Sequence, residues 1–324
     1  MCAMPAEPER AAGSIRFTLR QLHCFVAVAE AGSVTGAAER LALSPSSVSA
    51  AIAQLEQGLG LVLLMRHHAR GVTLTRAGER VLEEARDLLL RAGALGRLAG
   101  ELAAFPSGPL AIGCLVTLAP VVLPGLLASF LARFPAVEPR FREGDQAALL
   151  ALLEQGRIDL ALTYDLGLEG RVRFTPLCRL PPHLLLGEDH PLAGRRRVAL
   201  AELADHPWVL LDLPLSREYF AALFADAGIT PRIAARSPHF ELVRSLVANG
   251  FGCTLANIRP GSEVAGDGRR LLIVELEGTH RPVTLGFATA ARLPSSRAVR
   301  AFIEHAAELA AQGRLPGTMA AGGL

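Results

Sequence analysis

SVTGAAERLALSPSSVSAAIAQLEQGLG, residues 33–60, holds two short helical patterns that meet at a tight connection. In the first, Val34, Ala37, Ala38 and Leu41 fall at i, i+3, i+4 and i+7, with Ser33 in the N-cap position. The second starts at Ser44, whose hydroxyl suits the free N–H groups of a helix with Pro45 at its first position. Val48, Ile52, Leu55 and Leu59 share one face of it. The link Leu41-Ala42-Leu43-Ser44 has the length at which two helices cross steeply, and Gly36, Ala37 and Ala38 are small enough for a close crossing. The pattern predicts a helix-turn-helix; an ordinary helical hairpin would read the same way.

Opposite the apolar stripe, the second helix carries Ser46, Ser47, Ser49, Ala50 and Gln54, a short, uncharged, lightly polar face suited to a major groove. Ser33 and Thr35 at the start of the first helix, and Pro45 at the start of the second, complete the expected DNA-facing set from the helices. Upstream, Thr18 and Gln21 are spaced as a capping box for a helix with Leu19, Leu22, Phe25, Val26 and Ala29. Downstream, residues 61–75 read as a short hairpin, or wing, whose Arg66, His67, His68 and Arg70 are expected to face phosphate. For the two histidines a solvated turn is an equal reading.

The order Leu-Arg-Gln-Leu with Phe25 (19–25), Ala-Glu-x-Gly-Ser (29–33), Ala-Ala-Glu-Arg-Leu (37–41), the Ser, Val-Ser, Ile, Leu-Glu and Leu-Gly steps of 44–60, and Leu-Thr-x-Ala-Gly (74–78) resembles the LysR-type transcriptional regulators. The resemblance covers the winged helix-turn-helix almost continuously. It departs at Pro45-Ser46, where the family usually has Gln then Pro after the serine, and at Ala50-Ala51, where a basic residue and Gln are common. Gln or Arg pairs bidentately with a base edge and Ser and Ala do not, so base readout is expected to lean on Ser46, Ser47, Ser49 and DNA shape.

The 324 residues leave room for two or three domains, and 51% hydrophobic content with mean hydropathy +0.33 describes a folded chain. Net charge is only +2, so nucleic-acid binding must be local. All 33 basic residues are Arg, which excludes Schiff-base lysine chemistry and a Walker-type lysine. Residues 1–15 read as a mobile arm, unlike a signal peptide, so a cytoplasmic location is expected. The cysteines, 2, 24, 114, 178 and 253, form no CxxC and read as reduced thiols.

Thr75 is an expected N-cap for a long helix over 76–104, within a linker of 76–105 that follows a DNA-binding domain of 16–75. Val81, Ala85, Leu88, Ala92, Leu95, Ala99 and Leu102 alternate spacings of four and three, a heptad seam. At about 29 residues and 1.5 Å each it is a rod of roughly 40 Å, too long to bury its seam in one small domain. The expected partner is a second copy; packing across its own chain is the alternative.

After Phe105-Pro106-Ser107-Gly108-Pro109, the uncharged run 110–131 is broken by Gly113, Thr117, Pro120, Pro124 and Gly125, and so reads as strand, loop and helix, not a membrane span. Strands and helices then alternate, predicting two α/β lobes with parallel pairing: lobe I from 107–164 and 291–313, lobe II from 165–290, and a loose tail over 314–324. This is a periplasmic-binding-protein-like plan. The family resemblance continues through His190-Pro191-Leu192-Ala193, Pro207-Trp208 and Val247-Ala248-x-Gly250-x-Gly252, but Asn257-Ile258-Arg259-Pro260 replaces the usual Leu-Pro.

Ligands of such sheets bind at the carboxyl ends of strands, between lobes. Val116, Thr117, Asp145, Tyr164, Asp165, Ser216, Arg217, Ser237 and Asn257 are placed there as the effector-binding set. Thr117 and Ser237 lie before helices, where an anion is favoured, and Arg217 is expected to add a charge-assisted contact, so the expected effector is an organic anion. Plain caps at Thr117 and Ser237 and a turn at Asp145 are equal readings. There is no G-x-S-x-G, no H-E-x-x-H and no dense His/Cys cluster; no enzyme, metal or cofactor is expected. The family resemblance implies a dimer or tetramer that binds an interrupted palindrome in double-stranded DNA, with RNA polymerase a further candidate partner. The rivals are a solute-binding protein that never touches DNA and a redox regulator using Cys114, Cys178 or Cys253.

Overall fold

The computed structural model describes residues 15–67, 71–101, 105–168, 170, 172–291 and 294–318. The chain divides into two compact units, Met1–Leu95 and Gly96–Leu324.

In the first unit, α1 (Leu19–Ala31), α2 (Val34–Leu41) and α3 (Pro45–Leu59) precede a hairpin of β1 (Leu64–His67) and β2 (Gly71–Leu74) and the helix α4 (Arg76–Glu101). Each helix starts where a side chain close in sequence can cap it. Thr18 and Gln21 form the full capping box, Ser33 accepts from Gly36 N and Ser44 from Ser47 N, and Thr75 Oγ1 accepts from Gly78 N. The turn between α2 and α3 closes through Ala42 in the left-handed region (φ 53) and a bond from Leu43 N to Ala38 O. α1 is buried on two sides. Leu22, Phe25 and Val26 pack with Leu55, Leu63, Leu82 and Ala85, while Cys24, Ala27 and Val28 pack with Ala37, Ala38, Val48 and Ile52. Gly71 (φ +81) holds the wing close: a Cβ there would sit 2.5 Å from Gly32 O, which accepts from Val72 N.

The start of α4 corrects the seam expectation. Ala85, placed in the dimer seam from its spacing, is buried in its own domain beside Leu82, because α4 forms one wall of that core. Leu88 and Leu95 are exposed and Ala92 half-buried. Ala99 lies in α4, and Leu102 lies outside the described residues.

The second unit continues with β3 (Gly108–Leu115), α5 (Ala119–Arg133), β4 (Val137–Gly144), α6 (Gln146–Glu154), β5 (Leu160–Tyr164), β6 (Val172–Leu180) and β7 (His183–Gly187). There follow β8 (Arg197–Val198), a 3-10 turn Leu200–Asp205, β9 (Pro207–Leu211), α7 (Ser216–Asp226), β10 (Arg232–Ser237) and α8 (Phe240–Ala248). β11 (Thr254–Ala256), β12 (Leu271–Leu276), β13 (Val283–Ala290) and α9 (Arg297–Ala311) complete it. Lobe I is a five-stranded sheet in the order β4-β3-β5-β13-β6. β3 is parallel to β4 and β5, as alternation predicts, but β13 runs antiparallel to both β5 and β6. Lobe II is a sheet β11-β7-β12-β8 extended by the pair β10-β9, which joins it through a Trp208–Cys253 bridge.

Two expectations change. The lobe crossings fall at 181–182 and between β12 and β13, not at 165 and 290, because Pro181-Pro182 interrupts the ladder so that β6 pairs in lobe I and β7 in lobe II. Residues 314–318, expected to be loose, are packed: Leu315 is fully buried and Gly317 O accepts from Arg259 N at 3.1 Å.

Candidate DNA interface and effector cleft

At the start of α3, the Ser44 hydroxyl lies 2.9 Å from that of Ser46 and 2.8 Å from that of Ser47, and it also accepts from Ser47 N. Pro45, Ser46, Ser47 and Ala50 are exposed and Ser49 half-exposed, so the short polar face expected from spacing is presented together. Thr35 is exposed, and Ser33 is half-buried with its hydroxyl committed to the cap of α2. Gln54 is exposed but tied to α1, its Oε1 accepting from Gln21 Nε2 at 2.9 Å. Arg66 and His67 lie in β1, while His68 and Arg70 lie outside the described residues. Glu30 of α1 pairs with Arg40 of α2 at 2.9 Å and with Arg86 of α4 at 3.5 Å, joining three helices behind the α3 face.

The second candidate site lies between the lobes, a cleft of about 340 Å³ including its open mouth. Lobe I supplies Thr117, Tyr164, Leu166 and Val283; lobe II supplies Leu211, Ser216, Tyr219, Phe220, Phe240, Ala256, Asn257 and Ile258. Thr117, Tyr164, Ser216 and Asn257 were expected here and are brought together. Phe220, which stands against Trp208 (6.4 Å between centroids), braces the apolar wall.

The other expected effector residues are not on this lining. Val116 packs against the smaller apolar core of lobe II. Asp145 caps α6, accepting from Ala148 N at 2.9 Å. Asp165 closes the β5–β13 ladder, its carboxylate accepting from Thr284 N at 2.7 Å. Ser237 accepts from His239 N. Arg217, the residue on which the anion expectation rested, is half-exposed on α7, with Asp212 at 2.7 Å and Glu218 at 2.8 Å. Both carboxylates hold its guanidinium, and it is not part of the lining.

Two cleft residues grip the crossings themselves. Asn257 Nδ2 donates to Leu180 O (3.0 Å), at the end of β6, and to Tyr219 Oη (3.2 Å). Tyr219 Oη donates to Arg281 O (2.6 Å), just before β13. Gln146, buried at the start of α6, was missed in the sequence. Its amide holds Tyr164 O and Leu166 O, and Thr163 Oγ1 donates to its carbonyl, so it sets the loop that carries Tyr164. Only burial beside a loop identifies it; a Gln after an Asp cap has no sequence signature.

Burial pushes the Tyr164 phenol well up and Tyr219 up to about 12, so both are neutral in the physiological range. The Thr117 hydroxyl faces Tyr164, near enough to offset part of that rise, yet it makes no hydrogen bond of full geometry and is buried. α5 begins at Ala119 with Leu118 in the cap position, so Thr117 is not its cap. A buried hydroxyl without a partner costs about 1–3 kcal/mol.

Described Cys24, Cys114, Cys178 and Cys253 are free thiols. Burial raises all of them, Cys178 to about 11 and Cys253 to about 12. Cys114 in β3 and Cys178 in β6 are three strand spacings apart, roughly 14 Å, beyond the reach of a disulfide. Among the described residues no helix is long and apolar enough to cross a membrane, and no cluster of His, Cys, Asp or Glu is placed to hold a metal.

A winged helix-turn-helix followed by a two-lobed α/β domain with a cleft between the lobes is the construction of a ligand-responsive transcriptional regulator. Residues 19–79 match the family model of bacterial regulatory helix-turn-helix proteins of the lysR family, and residues 103–311 match that of the LysR substrate binding domain. The hydrogen peroxide-inducible genes activator of Pectobacterium carotovorum subsp. carotovorum is 33% identical over 238 residues, 73% of this chain and 78% of that protein. The crystal structure of HinK, a LysR family transcriptional regulator from Pseudomonas aeruginosa, is 37% identical with a TM-score of 0.61, covering 91% of this chain and 98% of that one. Full-length CbnR, solved with its target DNA, shares the fold at 24% identity and a TM-score of 0.61, over 90% of this chain and 99% of that one. The chain belongs to the LysR family of transcriptional regulators, which are not enzymes.

Proposed function

We propose that this regulator reads an interrupted palindrome with the Ser46–Ser47–Ser49–Ala50 face of α3, supported by Thr35 and the wing, and that a small molecule in the inter-lobe cleft controls it. The observation that carries the second half is the Tyr219–Asn257 pair. Both line the cleft and both bond to a lobe crossing, so a ligand that moves either one acts on the hinge directly. The exposed Leu88 and Leu95 of α4 (43% and 70%) are the residues to which a second copy would pack. Two heads on one duplex would account for half-sites, and contact with RNA polymerase belongs to the same reading.

Control by ligand is favoured over control by oxidation. The described thiols are buried or half-buried with raised pKa values, the reverse of what a reactive thiolate needs. The test is a footprint on DNA upstream of the reading frame, at stated salt, with and without small molecules and with peroxide. Two protected patches on one face of the duplex, shifted by a compound but not by peroxide, are expected. A shift by peroxide that disappears in a Cys178→Ser or Cys253→Ser variant would establish the redox reading instead.

A further inference from the structure

We propose that the effector is an uncharged, largely apolar small molecule that presents a hydroxyl or amide to Thr117. This rests on the reading of the cleft as the effector site and adds its chemistry.

The lining contains no Asp, Glu, Arg or His. Leu166, Leu211, Phe220, Phe240, Ile258 and Val283 make it mostly aliphatic and aromatic. A carboxylate entering it would lose its water and meet no cationic side chain, a transfer that burial opposes strongly. The charged groups nearest in sequence stay off this lining: Arg217 pairs with Asp212 and Glu218, Asp165 accepts from Thr284 N and Asp145 from Ala148 N, and Arg259 and Arg281 stand one and two residues from Ile258 and Val283 without joining it.

The feature that would favour an anion is the start of α7 at Ser216, which has no side-chain cap. Glu218 stands in its first turn and Asp212 lies beside it; Arg217 pairs with both and Arg236 lies 3.9 Å from Asp212, so two carboxylates and two guanidiniums offset one another there. The side chains at that end of the helix therefore add no surplus positive charge to draw an anion.

Among the polar groups of the cleft, the donors of Asn257 and Tyr219 are already used. Both amide hydrogens of Asn257 are used, on Leu180 O and Tyr219 Oη, and the single Tyr219 hydrogen is used on Arg281 O. Thr117 Oγ1 is a buried lining atom that faces the Tyr164 phenol without a full hydrogen bond, and Thr117 is only 5% exposed. A hydroxyl both donates and accepts, so it accepts a ligand alcohol or amide equally well.

The experiment uses the full chain and matched probes that differ in charge: benzyl alcohol and benzamide against benzoate, and 2-phenylethanol against phenylacetate. Binding is read by calorimetry and by the shift of the thermal transition. At least one neutral probe is expected to bind several-fold more tightly than its carboxylate partner. Thr117→Val should weaken that probe about tenfold, with the thermal transition of the unliganded variant measured alongside to show that it is folded. Carboxylates that bind as well as the neutral probes, or no binding by any neutral probe, would overturn the proposal. Ala256→Leu narrows the cleft and separates the two readings. If binding survives it unchanged, the effector site itself is elsewhere; if binding is lost and carboxylates were preferred, only the assigned charge is wrong.

Discussion

The α3 face and the inter-lobe cleft are both recognition surfaces built from short hydroxyls and amides without a central charge, yet they are assembled in opposite ways. At α3 the hydroxyls of Ser44, Ser46 and Ser47 bond to one another and lie open to solvent, within a few residues of one another in sequence. In the cleft, Thr117, Tyr164, Ser216 and Asn257 come from four separate segments, and the Thr117 hydroxyl is buried without a full hydrogen bond. The first surface costs the fold little, because water satisfies it. On the reading proposed above, a ligand would complete the bond in the second and so gain the means to shift a conformation.

The largest expected effect separates the two surfaces by stability. Phe25→Ala empties a fully buried position between the helices of the head and should cost about 3–5 kcal/mol. Calorimetry should then show loss of DNA binding with the ligand-shifted transition of the cleft domain retained; loss of both would mean the units do not fold separately.

Acid should act in the reverse direction. His183 in β7 is buried and its pKa is lowered to about 3, first by burial and then by Arg259. Above its ordinary value of 6.5 both folded and unfolded forms are neutral and nothing is lost. Below it, the unfolded chain gains a proton that the folded chain refuses, so stability falls by up to about 1.4 kcal/mol per pH unit until about pH 3. His190 and His305 shift the same way. Melting between pH 7.5 and 4.5 should show the cleft domain softening on acidification, with a shallower slope in His183→Gln.

Ser47→Glu tests the α3 face alone. A carboxylate in the first turn suits the helix dipole, so the melting temperature should hold, while repulsion from phosphate should weaken DNA binding about tenfold or more, a change of roughly 1.4 kcal/mol. Unchanged affinity in a titration at fixed salt would remove that face from the interface. Smallest is Tyr219→Phe, which removes one bond to Arg281 O and one from Asn257, worth about 1 kcal/mol. It should leave DNA affinity intact and blunt the ligand response; a full response would uncouple the hinge from the cleft.

The same contrast explains what could be read from sequence. Thr18, Ser33, Ser44, Thr75 and Asp145 cap helices a few residues away, and Ser296 does the same for α9, so spacing alone carries the information. The class of fold was legible for this reason. The cleft was half legible. Strand ends can be located, which brought in Thr117, Tyr164, Ser216 and Asn257, but the place of a long side chain depends on competitors elsewhere, and Asp212 and Glu218 hold Arg217. The lobe boundaries failed on sheet pairing: β6 and β13 join lobe I by a ladder between residues about a hundred positions apart, which no local pattern announces.

Residues 314–318 have a mechanical consequence. Gly317 sits between Val121 of α5 and Ile258 of the cleft, close enough that a side chain on it would strike both, and its carbonyl holds Arg259 N. Two covalent crossings alone leave one lobe free to bend and to twist against the other. A third tether, noncovalent and set to one side, makes those motions unequal: any opening must drag this segment along or break its bond. The lobes are thus joined by a latch as well as a hinge, and work done on the latch is felt at the wall of the cleft.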